Sequence, residues 1–250
     1  MVFQRLKSCN TYKNGVGQMI KLNNVSKKYG TRKALDDITL TLPQGKIIGL
    51  VGENGSGKTT LLKLMAGLLT PNSGFAMFDG SRITRKVASR IAYMPDTDLF
   101  YPYFTVAQLF EFYESQFADF NPTKAKELAQ FLNVALDSKI KTLSKGNRGR
   151  VKIAATLGRE ADYYLLDEPF SGLDPMVRDD IAKGLIRFTD PGRQTVIMST
   201  HELKEVEPLL DEIVVLKGNR MIAQESVDEI RDTYGKDATS WMVSLFREGN

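Results

Sequence analysis

Beyond residue 18 the apolar residues of this chain fall into short runs whose period switches between two and 3.6, the mark of strands alternating with helices. Met19 to Val25 and Ile38-Thr39-Leu40-Thr41-Leu42 alternate apolar with polar positions and predict two half-buried strands. Ile47 to Val51 is continuously apolar, as a strand buried on both faces would be, and a helical pattern follows from Thr60 to Leu68. Phe75 to Phe78 and Arg90 to Met94 are shorter strand candidates, the second stopped by Pro95-Asp96.

The character then changes. Leu99 to Phe120 is crowded with aromatic residues, and helical patterns run over Val106 to Phe117, Thr123 to Leu132 and Asn147 to Leu157, predicting a helical insert over about Pro95 to Gly158. Strand–helix alternation resumes with Tyr163 to Leu166, a helix over Pro175 to Arg187 and the strand Thr195 to Met198. A short helix, Glu202 to Leu209, leads to the strand pair Glu212 to Leu216 and Arg220 to Ala223. Such alternation predicts an α/β fold with a mainly parallel sheet covered on both faces. Residues 1–18 show no sustained period and no apolar core of a signal peptide. They are expected to be a disordered extension, or an upstream start to a chain whose working part begins at Met19. Residues 235–250 are expected to form a C-terminal tail.

Length and composition narrow the class without deciding it. With 250 residues, 42% of them apolar and 26% charged, the chain can bury one large α/β core with a subdomain. Its formal charge is +4, but Arg5, Lys7 and Lys13 lie in an N-terminal stretch with no acidic residue; the remainder holds 31 basic against 30 acidic residues. A near-neutral body gives little reason to expect nucleic acid as a partner. Cys9, the single cysteine, precludes an internal disulfide and fits a reducing compartment. No apolar run approaches the roughly 20 residues that span a bilayer, so the polypeptide is not expected to cross one.

The chemistry concentrates where strands end. Gly52-Glu53-Asn54-Gly55-Ser56-Gly57-Lys58-Thr59 joins the strand Ile47 to Val51 to the following helix, the context that a phosphate-binding loop requires. Glycine permits the positive φ that turns successive N–H groups toward phosphate oxygens, and the helix N-terminus adds its own attraction. Lys58 is placed for β and γ phosphates, and the Thr59 hydroxyl for the magnesium that bridges them. A merely structural glycine turn would not need lysine followed by threonine. Asp167, after four apolar residues, is placed to hold magnesium through water, and Glu168 to take a proton from an attacking water. His201, the only histidine, would by itself be a surface or packing residue; at a strand end beside a triphosphate it can bond the γ phosphate and orient the water. Tyr29, in the loop between the first two strands, either lies against the adenine or packs. A nucleoside triphosphate with Mg2+ is the expected ligand.

Together these motifs resemble the ATP-binding subunit of ABC transporters over Met19 to about Ala223. The discriminating stretch is Leu143-Ser144-Lys145-Gly146-Asn147, 86 residues beyond Lys58 at its serine, which is similar to the family signature Leu-Ser-Gly-Gly-Gln. Ser144 suits the N-cap of a helix, and Gly146 leaves a backbone N–H open toward an anion. Lys145 and Asn147 depart from the usual Gly and Gln, so only the serine and glycine carry over. The nearby Lys141, Arg148, Arg150 and Lys152 are expected to be solvated helix surface. Ser171-Gly172-Leu173-Asp174 is similar to the family's D-loop, and Tyr29 falls at its adenine-stacking position. Tyr93-Met94-Pro95-Asp96 resembles the loop that normally brings glutamine to the metal, with aspartate in its place.

The resemblance implies a P-loop NTPase core of RecA-like type over residues 19–234, with an antiparallel β subdomain and the helical insert. It implies ATP held by Tyr29, by Gly52 to Thr59 and by Thr60, with Thr59, Asp167 and Asp96 near Mg2+ and with Lys58, Glu168 and His201 catalytic. Residues Ser144 to Asn147 are expected to close on ATP held by a second ATPase subunit, identical or not. The pair would then power a separate transmembrane permease from the cytoplasmic face of the cell membrane. The regions Leu143 to Ala154 and Tyr164 to Asp174 look most like ATPases of ABC-2-type exporters, including the YtrB-like branch, and imply export of an unspecified substrate. A soluble ABC ATPase acting on nucleic acid or the ribosome is the alternative. It fits less well a chain with one nucleotide-binding domain and no zinc cysteines. A P-loop kinase or GTPase would leave Ser144, Asp174 and His201 without a purpose.

Overall fold

The computed structural model describes residues 19–98 and 100–248. The expected disordered leader, residues 1–18, lies outside them. Two sheets stack across a shared core. The first is antiparallel, of order β2-β1-β4-β5, from β1 (Met19–Tyr29), β2 (Arg32–Pro43), β4 (Ser73–Phe78) and β5 (Ser81–Arg82). Its alternating sequences put Ile20, Leu22, Ile38, Leu40 and Leu42 inward and Lys21, Thr39 and Thr41 outward. The pairing Ile20 to Leu42 and Leu22 to Leu40 fixes the register, because a slip of one residue would turn the apolar face to water.

The second sheet has six strands in the order β10-β9-β3-β8-β7-β6. These are β3 (Ile47–Gly52), β6 (Ile91–Met94), β7 (Tyr163–Leu166), β8 (Thr195–Thr200), β9 (Glu212–Lys217) and β10 (Arg220–Ser226). All neighbours are parallel except the edge pair β9–β10. The continuously apolar segments become the strands buried on both faces: in β3, Ile48 and Leu50 join the core under the antiparallel sheet while Ile47 and Val51 join the core under the helices.

Helix α1 (Lys58–Met65) starts two residues before the sequence pattern suggested, because Gly57 at φ +104° supplies a left-handed N-cap. The insert contains α2 (Val106–Gln116), α3 (Pro122–Phe131) and α4 (Lys145–Leu157). A reciprocal cap starts α2: Thr105 Oγ1 accepts from Gln108 N at 3.2 Å, and Gln108 Oε1 accepts from Thr105 N at 2.9 Å. The insert's apolar faces share one core with the large sheet. After β7 come α5 (Pro175–Phe188) and α6 (Leu203–Val206). Beyond β10 lie α7 (Val227–Tyr234) and α8 (Ala238–Glu248). The segment read as a tail is therefore largely a helix, held by buried Ala238 and Trp241 and by Glu207, whose carboxylate accepts from Ala238 N at 3.0 Å.

Candidate functional site

The phosphate loop leaves the centre of the large sheet, between β3 and α1. Gly52 sits where a Cβ would lie 2.4 Å from Leu216 O and 2.7 Å from Ser56 Oγ, so any side chain there would push the loop off the sheet. Glu53, Asn54 and Gly55 are exposed, and Thr60 is half-buried on α1. Lys58 is buried; its ammonium donates to the carbonyls of Gly52 at 2.7 Å and Glu53 at 3.3 Å, folding the side chain back along the loop. The hydroxyl of Ser56 is buried in the loop with no hydrogen-bond partner among the described residues, a polar atom of the kind a ligand commonly satisfies.

The neighbouring strands β7, β8 and β6 bring the acids and their donors to the same end of the sheet. Asp167, 1% exposed, accepts from Thr59 Oγ1 at 3.0 Å, Ser199 Oγ at 2.8 Å and Tyr93 OH at 3.1 Å. Three hydroxyl donors are what allows a carboxylate to sit so deep, since an unpaired buried charge costs far more than hydrogen bonding returns. Burial pushes the Tyr93 phenol well above its ordinary range, and the charge of Asp167 pushes it further, so it remains a donor. Glu168 turns through φ +48°, unusual for a residue with a side chain. That turn hands its N–H to Ser199 Oγ at 2.9 Å and places its carboxylate between the Lys58 ammonium, with Nζ 3.4 Å from Oε1, and the His201 imidazole, with Nδ1 2.9 Å from Oε2. An ionised carboxylate only accepts, which assigns the proton of that contact to Nδ1. The predicted Lys58, Thr59, Asp167, Glu168 and His201 are thus brought together. Tyr93 and Ser199, the other two donors to Asp167, carry no local sequence pattern that marks them for that role.

Among the described residues no group of three or more His, Cys, Asp or Glu side chains forms a metal cage. Thr59 and Asp167 nevertheless fit Mg2+, which takes one or two protein oxygens and completes its octahedron with phosphate and water. The Asp96 carboxylate makes no hydrogen bond to Thr59 or Asp167 and is exposed; its backbone carbonyl accepts from Lys152 Nζ at 2.6 Å.

Tyr29 is 49% exposed at the tip of the β1–β2 hairpin, with the Lys27 ammonium 5.6 Å from its ring centre. Its ladder partner Arg32 reaches to 3.4 Å from where a Cβ of Gly55 would stand, so the hairpin tip overhangs the phosphate loop. The signature lies elsewhere: Ser144 Oγ caps α4 by accepting from Asn147 N at 3.2 Å, and no hydrogen bond or ion pair joins residues 144–147 to residues 52–60 among the described residues. It contacts the D-loop instead. A Cβ on Gly146 would stand 3.1 Å from Val177, and one on Gly172, at φ +63°, would stand 2.1 Å from the Lys145 ammonium. Ser171 N donates to Glu168 O at 3.2 Å, Leu173 is buried, and Asp174 Oδ1 caps α5 by accepting from Val177 N at 3.0 Å.

One expectation is corrected. Of the four cations read as solvated surface, Lys141 is exposed, but Lys152 is 8% exposed and Arg150 is largely enclosed, bonding Asn147 Oδ1 at 3.0 Å and pairing with Asp180 at 2.5 Å. Burial lowers the Lys152 pKa, and Asp98, Asp96 and Asp167 act against that shift. A helical period of charges cannot show that the loop after β6 and helix α5 cover both flanks of α4.

The aromatic stretch divides between the core and the surface. Leu109 is buried, and Phe100, Phe104 and Phe112 are half-buried, whereas Tyr101 and Tyr103 are 55% and 76% exposed. Tyr101 packs on Phe104 with ring centres 4.9 Å apart, and the Lys141 ammonium lies 5.1 Å from the Tyr103 ring. Among the described residues no helix is long and apolar enough to cross a membrane.

Residues 35–171 match the family described as ABC transporter. The ABC transporter ATP-binding protein YtrB of Bacillus subtilis is 31% identical over 220 residues, covering 87% of this chain and 75% of its own. The Nod factor export ATP-binding protein I of Cupriavidus metallidurans is 31% identical over 86% of this chain and 73% of its own. The Probable sulfate/thiosulfate import ATP-binding protein CysA of Chlorella vulgaris is 34% identical over 85% and 93%. Among solved structures, one titled as the ATP binding subunit of an ABC transporter superposes with a TM-score of 0.80 at 25% identity, covering 91% of this chain and 99% of that one.

Proposed function

The chain belongs to the ABC transporter family as an ATP-binding subunit, and from that premise we propose that two such subunits close on ATP, hydrolyse it with Mg2+ and drive export through a separate permease. ATP-binding subunits of this family are ATPases that power transport with transmembrane partners. The observation that carries the finer reading is the Glu168 carboxylate, held between Lys58 and His201 immediately after buried Asp167.

In this reading Tyr29 lies against the adenine, and Gly52 to Thr60 wrap the phosphates with Lys58 on the β and γ oxygens. Thr59 and Asp167 are the residues that would hold magnesium, which would supply positive charge against the phosphate oxygens. Glu168 accepts a proton from water as the water oxygen bonds to the γ phosphorus. The bond from that phosphorus to the β–γ bridging oxygen breaks, and ADP and phosphate leave. His201 orients Glu168 and the water through its two ring nitrogens. Ser144 to Asn147 of the second subunit complete the γ-phosphate site, and Ser171 to Asp174 run along the seam. Support for a shared site comes from Ser144, which caps a helix in the D-loop's neighbourhood without a bond to its own phosphate loop.

Export rests on the likeness of Leu143 to Ala154 and Tyr164 to Asp174 to ABC-2-type exporters; the relatives include proteins named for export and for import. The subunit would work at the cytoplasmic face of the membrane, docked on its permease. Glu168→Gln tests the central assignment. The variant should bind ATP within about twofold of the parent chain, lose about 10²- to 10⁴-fold in hydrolysis and accumulate as an ATP-dependent dimer in sedimentation. Hydrolysis at the parent rate would remove Glu168 as the base.

A further inference from the structure

The start of β2 lies directly over the phosphate loop. A Cβ on Gly57 would stand 2.4 Å from Ala34 O and 2.7 Å from the Leu35 side chain, and one on Gly55 would stand 3.4 Å from a terminal nitrogen of Arg32. Two glycines of the loop thus face one strand. Arg32 is held there by its ladder pairing with Tyr29, so the guanidinium and the phenol ring belong to the same hairpin tip. The first acidic residue of the strand is already shared by other cations: Asp36 accepts from Lys33 Nζ at 2.6 Å and from Arg220 Nε and Nη2 at 3.0 and 2.7 Å. Lys27, beside the Tyr29 ring, is engaged as well, donating to Thr70 O at 2.7 Å. The exposed Arg32 side chain has no hydrogen bond or ion pair among the described residues, Glu53 of the loop included. A guanidinium presents five donors in a fork that matches phosphate oxygens, and this one stands beside a loop of phosphate-binding type with no donor bonded to protein.

We infer that Arg32 is a further nucleotide ligand, whose guanidinium holds the α and β phosphates of ATP or ADP from the hairpin side. The inference rests on nucleotide binding at the phosphate loop as proposed above. The γ end of that site is marked by Lys58 and His201 on the two sides of Glu168, and Arg32 bonds none of the three. Arg32 instead connects the ring proposed for the adenine with Gly55, along the part of the phosphate chain nearest the base. That part is common to ATP and ADP. The contact therefore adds to affinity for both nucleotides and not to the choice between them, and at an exposed site it weakens as salt rises.

The test uses the full chain and its Arg32→Ala and Arg32→Lys variants, titrated in a calorimeter with ADP and with an ATP analogue whose β–γ bridge is a methylene, at low and high salt. Arg32→Ala should weaken both nucleotides equally, by about 5- to 20-fold at low salt, as expected for an exposed hydrogen bond between charged groups. The loss should shrink at high salt. Arg32→Lys should stay within about threefold of the parent chain, because it keeps the charge without the planar fork. The unfolding midpoint without nucleotide should move by less than about 2 °C in either variant, since the side chain bonds nothing in the fold. Parental binding by Arg32→Ala, a loss confined to the ATP analogue, or a loss that neither lysine nor salt changes overturns the inference. A parent chain that binds neither nucleotide would remove the nucleotide-binding reading itself, and this inference with it.

Discussion

Tyr93 donates its phenolic hydroxyl to Asp167 Oδ2 at 3.1 Å, on the carboxylate oxygen opposite the one that accepts from Thr59 and Ser199. The phenol comes from β6 and the carboxylate from the end of β7, which are adjacent parallel strands. That bond holds one Asp167 oxygen in place, leaving the other on the Thr59 side. Mg2+ held by Thr59 and Asp167, as proposed above, would depend on a tyrosine that needs no direct contact with it.

Tyr93→Phe should accordingly weaken the metal site more than the fold. A hydrogen bond to a charged group contributes about 1.5–3 kcal/mol, so the Mg2+ concentration for half-maximal ATP turnover should rise by at least about tenfold. The midpoint of thermal unfolding without nucleotide should move by only a few degrees. A magnesium titration of the purified variant measures the first, and an unchanged midpoint in Mg2+ would show that Oδ2 is held without the phenol.

Tyr29 offers a second measurement. Its ring is half-exposed at a hairpin tip overhanging Gly55, and stacking of a base on such a ring is worth about 1–3 kcal/mol. Tyr29→Ala should weaken ATP binding by at least about fivefold, whereas Tyr29→Trp should keep it. Equal binding by both variants would mean that the ring only packs against Lys27.

The exposed Tyr101 and Tyr103 supply a docking prediction. Phe104 is half-buried beneath Tyr101 and belongs to the fold, so the surface change is best made at the two tyrosines. The double substitution to serine should shift the unfolding midpoint of the isolated subunit by less than about 2 °C and reduce its recovery with membranes that contain its permease. Undiminished co-purification would remove the two tyrosines as the dock.

Glu212 predicts a pH dependence of stability. Burial raises its carboxyl above the ordinary 4.5, while the Gln224 amide and Lys46 act in the opposite direction. A raised folded pKa means that the folded chain binds the proton more tightly than the unfolded one. This contribution to stability is full below the ordinary carboxyl range and is lost as pH rises through the folded pKa. Glu212→Gln removes the buried charge and retains an acceptor for Gln224. It should raise the unfolding midpoint at pH 7.5 by about 1–3 °C, and the gain should vanish near pH 4. A gain of equal size at both pH values would assign it to packing instead of charge.

What was legible in the sequence was what the chain builds from contiguous residues. The phosphate loop is one strand, one turn and one helix start, and its φ requirements are met by Gly55 and Gly57 within the same ten residues. Asp167 and Glu168 follow their strand directly, and Ser144 and Asp174 cap the helices they precede, so each announces itself locally. The sheet's parallel class also followed from continuous apolar strands alternating with helices. The tertiary structure alone decided which strand ends become neighbours. Only the order β3-β8-β7-β6 brings Ser199 and Tyr93 onto Asp167, and only the seat of α4 against the loop after β6 buries Lys152 and gives it the Asp96 carbonyl as a partner. A lysine on an amphipathic helix reads as solvated because the period reports one helix at a time. Whether its charge is buried depends on a loop more than 50 residues away in sequence, and so on a long-range contact that no local pattern encodes.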